Sequence, residues 1–289
     1  MKIHHLPKFR KYQSLLLPNF NQGFKVVRDV AKNKLQPTSI RLMDSLQFQL
    51  AHCLMPSKAN FFTQILKGLQ KFYVTRICGF NPDEMVAITL LFEGNNEEEI
   101  NAHMNKIIKI GKKHGGIATG GSSGEKGYQL TFAIGYLRDF VLDYQFVTES
   151  FETTVPYDKV VHICTEVKEK IKQSCKARNL PYEPFITCRV TQTYDTGCCV
   201  YFYFGFVHFG FSESASQVYH ELESEAREII LQNGGSLSHH HGIGKLRKKW
   251  VKSSITSEGV SLLQNIKGSI DPKNIFCSGN LISAPSTTQ

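Results

Sequence analysis

Long apolar runs are missing from this 289-residue chain. No stretch reaches the ~18–20 residues that a membrane-spanning helix needs, so none is read here. No GxGxxG follows a predicted strand and no GxxxxGK[ST] occurs, so neither nucleotide-binding fingerprint is present. HExxH and CxxC are absent too, which removes the common helical zinc site and the paired-cysteine redox and zinc sites. The 8 Cys therefore read as reduced thiols of an intracellular compartment. A bridge between adjacent Cys198 and Cys199 would be strained. No internal repeat and no Gly/Pro/Ser-rich linker divides the chain. The opening MKIHHLPKFRKY reads as neither a signal peptide nor a transit helix, and SAPSTTQ at the end carries no peroxisomal or retention tripeptide.

What is present describes a folded chain. Hydrophobic residues make up 41% and charged residues 20%, a globular balance. The net charge of +9 favours an anionic partner, whether a phosphate ester, a nucleic acid or an acidic membrane surface. KFRKYQSLLLPNF reads as a strand closed by a Pro-Asn turn. The helix after it shows Phe24, Val27 and Val30 on one face. SIRLMD and MVAITLLFEG read as strands and NFFTQILKGLQKFYVTRI as a helix. NNEEEINAHMNKIIKIGKKHGG carries its own helix punctuation: an Asn cap, acids at the first turn, lysines at the last and a Gly stop. GGIATGGSSGEKGY reads as a flexible loop, and LTFAIGYLRDFVLDYQ as a strand passing into a helix. YDKVVHICTEVKEKIKQSCKARN and SQVYHELESEAREIILQNGG read as amphipathic helices. Between them lie two strands about a Tyr-Asp-Thr-Gly turn. A basic helix and a last helix close the chain. The hairpin argues for an α+β fold, an antiparallel sheet covered by helices on one side.

Several constellations carry chemical potential. In GGSLSHHHGIGKLRKKW, a strand would point His239 and His241 into one site, and imidazole is the usual proton shuttle near neutral pH. The same triplet also reads as a surface turn, or as a zinc site that lacks a further ligand. Gly242 and Gly244 permit a tight turn, and the following basic run suits phosphate or is a solvated face. Tyr201 and Tyr203 share one strand face and Phe202 and Phe204 the other, either as plain core or with a tyrosine placed for proton transfer. Arg41, Arg138 and Arg189 sit among apolar neighbours, where a guanidinium holds either a carboxylate or an anionic ligand.

Together SIRLMD, GYLRDFVLDY, ESFETTVPYDKV, TCRVTQTYDTG, YFYF, NGGSLSHHHGIGKLRKKW and DPKNIF resemble the alkyldihydroxyacetonephosphate synthases (alkylglycerone-phosphate synthases). The likeness runs from about Lys2 to Ile282. It implies a flavoprotein of the vanillyl-alcohol oxidase type, with an FAD-binding domain and a cap domain whose antiparallel sheet covers the flavin. The implied reaction exchanges the acyl group of acyl-dihydroxyacetone phosphate for a long-chain alcohol and releases a fatty acid. It proceeds at flavin N5 without net redox change. By matching motif, Tyr201 falls at the proton donor/acceptor and Arg138 at a substrate-binding arginine. His239, His240 and His241 match an activity-critical triplet, and Arg41 a required arginine. Ser278, Gly279, Asn280, Leu281 and Ile282 match a functional C-terminal segment that would face the cofactor. Ser278 and Gly279 depart from the family pattern there.

The resemblance also implies peroxisomal residence, a homodimer, a membrane surface as a further partner, no nucleic acid and no metal. It divides the chain into residues 1–20, a remnant at the end of the FAD-binding domain; 21–282, the cap and substrate domain; and 283–289, a tail. The family's glycine-rich flavin-binding segments would lie upstream, so the polypeptide alone is expected not to hold FAD tightly. Three other readings stay open: a catalytically inactive cap module that pairs with a full-length subunit, a basic membrane- or nucleic-acid-binding protein suggested by the +9 charge alone, and an FAD-linked oxidase of 2-hydroxy acids.

Overall fold

A computed structural model describes residues 3–54, 68–210 and 214–283. Among the described residues, seven strands form one sheet in the order β4-β1-β3-β2-β6-β7-β5, and every pairing is antiparallel. They are β1 (Phe9–Leu17), β2 (Ser39–Met43), β3 (Val86–Gly94), β4 (Ile117–Ala118), β5 (Phe146–Pro156), β6 (Phe185–Thr193) and β7 (Gly197–Val207). β6 and β7 form the expected hairpin, with a register shift between Val190 and Gln192. β1, inside residues 1–20, is an interior strand whose Leu15 and Leu17 belong to the common core. The α+β reading of the chain is the fold observed.

Period-two alternation divides the sheet into two faces. One face carries Leu42, Ile88, Leu90, Val200, Phe202 and Phe204 into a core with α1 (Phe20–Lys32), α3 (Glu97–Lys113), α5 (Val160–Ala177) and α6 (Ala215–Gln232). The helices start and stop as their sequences dictate. Asn19 caps α1 by accepting from Gln22 N at 3.0 Å. Asn96 caps α3 by accepting from the amides of Glu98 and Glu99, and Gly115 leaves that helix at φ 79°. α2 (Ser45–Cys53) is capped by Asp44. Of the helix expected over 60–77, residues 60–67 lie outside the described residues. Residues 68–77 are helical, ending in a π turn at Tyr73–Ile77.

Three expectations are corrected. The segment expected to be a loop and then a strand is, from Gly121 to Leu142, one helix, α4. Its glycines, which locally suggest a loop, form the face that seats on the sheet. A Cβ at Gly124 would meet the backbone oxygen of Gln13 at 2.5 Å, and one at Gly127 would meet Thr89 Cγ2 at 2.8 Å. α4 lies on the sheet face opposite α1, α3, α5 and α6, so the sheet is not covered on one side only. The basic run does not begin a helix either: Gly244–Arg247 is a turn and Lys248–Trp250 a 3₁₀ turn, and α7 runs from Val251 to Ile270. A break at Thr256 (φ 64°) splits α7, in keeping with two short helices read from the sequence.

The seating of α4 predicts opposite signs for two like substitutions. Gly124→Ala lowers unfolding stability by about 1–3 kcal/mol, because the strand backbone cannot yield. Gly135→Ala, on the same helix with nothing described within 4 Å of its Cβ, raises it by up to about 1 kcal/mol through helix propensity. Urea denaturation of both variants checks the pair.

Candidate functional site

The sheet face opposite the main core carries the chemistry. Register places Glu152 of β5, Tyr201 of β7 and Arg189 of β6 in one cross-strand row, since Tyr201 pairs with both of the others. Arg189 pairs next with Met43 of β2. Arg41 lies two residues from Met43 on the same face, its guanidinium 4.3 Å from the ring centre of Tyr128 on α4.

The histidine triplet does not form a strand. Residues 238–242 wrap around the carboxylate of Glu152, which is fully buried. The backbone amides of His239, His240 and His241 donate to it at 2.5, 3.3 and 2.9 Å, and Ser238 Oγ donates at 2.7 Å. Burial pushes this carboxyl up, but the four donors outweigh burial and hold it down at about 2. Beneath it, Arg227 donates to the Glu152 carbonyl at 2.8 Å and to Glu223 at 3.1 Å. Arg247 donates to Gly242 O at 2.8 Å and to Glu223 at 3.3 Å. This buried set of two carboxylates and two guanidiniums fixes where the imidazoles stand.

All three rings meet tyrosines. Tyr201 Oη lies 2.5 Å from His240 Nε2 and 3.2 Å from His241 Nε2. His239 and His240 approach through their Nδ1 atoms at 2.6 Å, and His239 Nε2 is 2.6 Å from Tyr194 Oη. Burial pushes the Tyr201 phenol up to about 12, helped by Tyr203. Burial lowers His241, against the opposing pull of Glu152, so a neutral acceptor stands beside a protonated phenol at pH 7. Arg189 donates to Tyr203 Oη, and its guanidinium lies 5.2 and 4.8 Å from the Tyr201 and Tyr203 ring centres. Among the described residues it makes no ion pair, and its buried Nε has no hydrogen-bond partner.

The structure thus gathers Tyr201, His239, His240 and His241 directly, with Arg41 on the same sheet face. Arg138 stands apart from these contacts. It is exposed on α4 and ion-paired with Glu149 at 3.0 Å and Asp139 at 3.3 Å. Ser278–Ile282 lies beside the turn that follows the triplet. Leu281 N donates to Gly244 O at 3.2 Å, Lys248 reaches Gly279 O at 3.3 Å, and Leu281 and Ile282 pack against the cluster of Leu237, Trp250 and Val251. The histidines also acquire neighbours that could complete a metal set: ligand atoms of Glu152, Cys199, His239 and His240 lie within 4.8 Å of one another. The carboxylate already accepts from four donors, and with no cation beside it burial pushes the Cys199 thiol up to about 11. Sequence reasoning missed Glu152, Tyr194, Arg227 and Arg247. Glu152 stands in a quoted motif, but its partners lie 86–89 residues away.

The chain belongs to the family of FAD linked oxidases, matching the C-terminal domain of that family over residues 6–281. It is 42% identical to an alkyldihydroxyacetonephosphate synthase of Caenorhabditis elegans over 98% of this chain and 47% of the relative. A solved alkyldihydroxyacetonephosphate synthase structure superimposes with TM-score 0.74 at 26% identity, over 95% of this chain and 46% of the other. p-Cresol methylhydroxylase shares the fold at TM-score 0.58 and 12% identity, over 96% of this chain and 53% of the other. The chain spans about half the length of the curated relatives it matches.

Proposed function

We propose that this chain forms the substrate-facing half of an ether-lipid-forming flavoenzyme. The enzyme would exchange the acyl group of acyl-dihydroxyacetone phosphate for a long-chain alcohol and release a fatty acid. The carrying observation is the phenol of Tyr201 against two imidazoles on the face that also holds Arg189 and Arg41. A buried guanidinium whose Nε is unsatisfied, with no carboxylate partner among the described residues, suits a phosphate-bearing or electron-rich ligand.

That donor set fits a flavin held mainly by a further domain, with Ser278–Ile282 beside it. When bound, FAD supplies the centre at which acyl and alkoxy groups exchange without net redox change. The chain's own groups move protons and hold charge. Tyr201 gives or takes the proton at the substrate carbon, His240 and His241 accept from it, Arg138 holds substrate by the motif match, and Arg41 is a required arginine by the same match. Peroxisomal residence, a homodimer and a membrane surface that presents the alcohol belong to the same reading.

The test is an exchange assay on the FAD-loaded full-length protein that contains this chain, with acyl-dihydroxyacetone phosphate and labelled hexadecanol. The expected result is one labelled ether and one fatty acid per turnover, with no oxygen consumed. Flavin reduction by a 2-hydroxy acid, with no ether formed, would replace this reading by the oxidase one.

A further inference from the structure

The contacts of the triplet form one continuous chain: Tyr201 Oη to His240 Nε2 at 2.5 Å, His240 Nδ1 to His239 Nδ1 at 2.6 Å, and His239 Nε2 to Tyr194 Oη at 2.6 Å. Each imidazole uses both its nitrogens. Two Nδ1 atoms so close cannot both carry a proton, and two bare lone pairs would repel, so one donates and the other accepts. That requirement couples the two tautomers. If His240 carries its proton on Nδ1, then its Nε2 accepts from Tyr201, His239 accepts on Nδ1, and His239 Nε2–H donates to Tyr194. Every hydrogen bond then runs one way, from Tyr201 outward. Tyr194 opens the Tyr-Asp-Thr-Gly turn and is 42% exposed, so the chain ends at water. His241, which also touches Tyr201, is off this path.

We propose that Tyr201, His240, His239 and Tyr194 form a directional proton wire, with Tyr194 as the exit relay. The proposal rests on the exchange reaction above, whose balance calls for such a path. The alcohol enters with its O–H and leaves as an ether, while the fatty acid departs as a carboxylate at neutral pH. One proton per turnover must reach solvent. Tyr201 passes its proton to His240 Nε2 as it takes up the one released at the reacting centre. His240 Nδ1–H passes to His239 Nδ1, His239 Nε2–H to Tyr194, and the Tyr194 proton to water. Each group ends with as many protons as it began with, but both imidazoles end in the other tautomer, His240 with its proton on Nε2 and His239 on Nδ1, and the wire resets by ring rotation before the next turnover. The buried Glu152 carboxylate holds the backbone of both histidines and takes no part in the transfer. The tight turn brings the Nδ1 atoms of these two neighbouring histidines together.

Two measurements test it. Nitrogen-15 spectra of the imidazoles in the 289-residue chain at pH 7.5 should show His240 as the Nδ1–H tautomer and His239 as the Nε2–H tautomer. In Tyr194→Phe the His239 signals should move to tautomer-averaged positions, with the fold unchanged by circular dichroism. Tautomer-averaged signals for both histidines in the unaltered chain would overturn the wire, whatever the exchange assay shows. In the FAD-loaded full-length protein, Tyr194→Phe should lower kcat about tenfold, leave KM within twofold and enlarge the solvent deuterium effect on kcat. Unchanged kcat and solvent effect would mean that the proton leaves directly from His240, and the exit role falls. Loss of exchange activity in the unaltered protein would instead remove the proposed function and leave the tautomer result to be read by itself.

Discussion

Tyr201→Phe in the FAD-loaded full-length protein lowers kcat by about 10²–10⁴-fold, the usual worth of a positioned acid or base. KM for both substrates stays within about threefold. The split follows from what the substitution leaves behind. The ring remains stacked on Tyr203 at 6.0 Å and beside the Arg189 guanidinium, so the surface that substrate meets keeps its shape and charge. Only the hydroxyl goes, and with it the shared partner of His240 and His241. The protein should stay folded, with a melting midpoint shifted by only a few degrees, since one partly exposed hydroxyl is worth about 1 kcal/mol. The pH profile adds a second mark. Burial lowers His241 from its ordinary value, so a step that needs it neutral persists into mildly acidic solution and fails only below that depressed pKa. A fall in binding as large as the fall in kcat would make Tyr201 a binding group and not a proton carrier.

The parts of the site legible in the sequence are those with local or motif signatures. Alternation alone puts Tyr201 and Tyr203 on the face opposite Phe202 and Phe204, and the sheet keeps that division. The triplet stands out because three adjacent imidazoles are rare, but its conformation does not follow from its composition. A strand would separate the rings, whereas the turn around Glu152 collects all three. Nothing near residue 152 announces that role, because a single Glu among strand residues looks the same whether it faces water or three amides. α4 escapes a local reading for a related reason. Gly121, Gly124 and Gly127 weaken a helix locally, and only the approach of β1 and β3 makes small residues the right choice. Caps, alternation and the hairpin act within a few residues, which is why they are legible. The seating of α4 and the Glu152 turn are tertiary.

Glu152→Ala is expected to reduce unfolding stability by about 3–5 kcal/mol, the range for breaking a buried charge network by removing one partner. For a domain whose total is about 5–15 kcal/mol, that is a large share. The deletion leaves three amides and Ser238 Oγ without their acceptor, and leaves Arg227 and Arg247, which keep their backbone acceptors, with Glu223 as their remaining carboxylate partner. Glu152→Gln keeps the shape but places a donating amide among donors, so it also destabilises the turn, by less. The distinguishing measurement is pH. The carboxyl sits at about 2 in the folded chain against an ordinary 4.5. Because the folded value is depressed, the stabilisation is complete above about pH 4.5 and is lost as pH falls toward 2. Each tenfold difference in proton affinity between the folded and unfolded chain is worth about 1.4 kcal/mol, so the loss across that window is about 3 kcal/mol. Urea unfolding at pH 7, 4.5 and 3 should therefore show the unaltered chain weakening between the two lower values, while the Glu152→Gln chain, lacking that titration, weakens much less. Parallel slopes for the two would mean that other carboxylates carry the acid sensitivity, and that the turn holding the histidines does not depend on this charge.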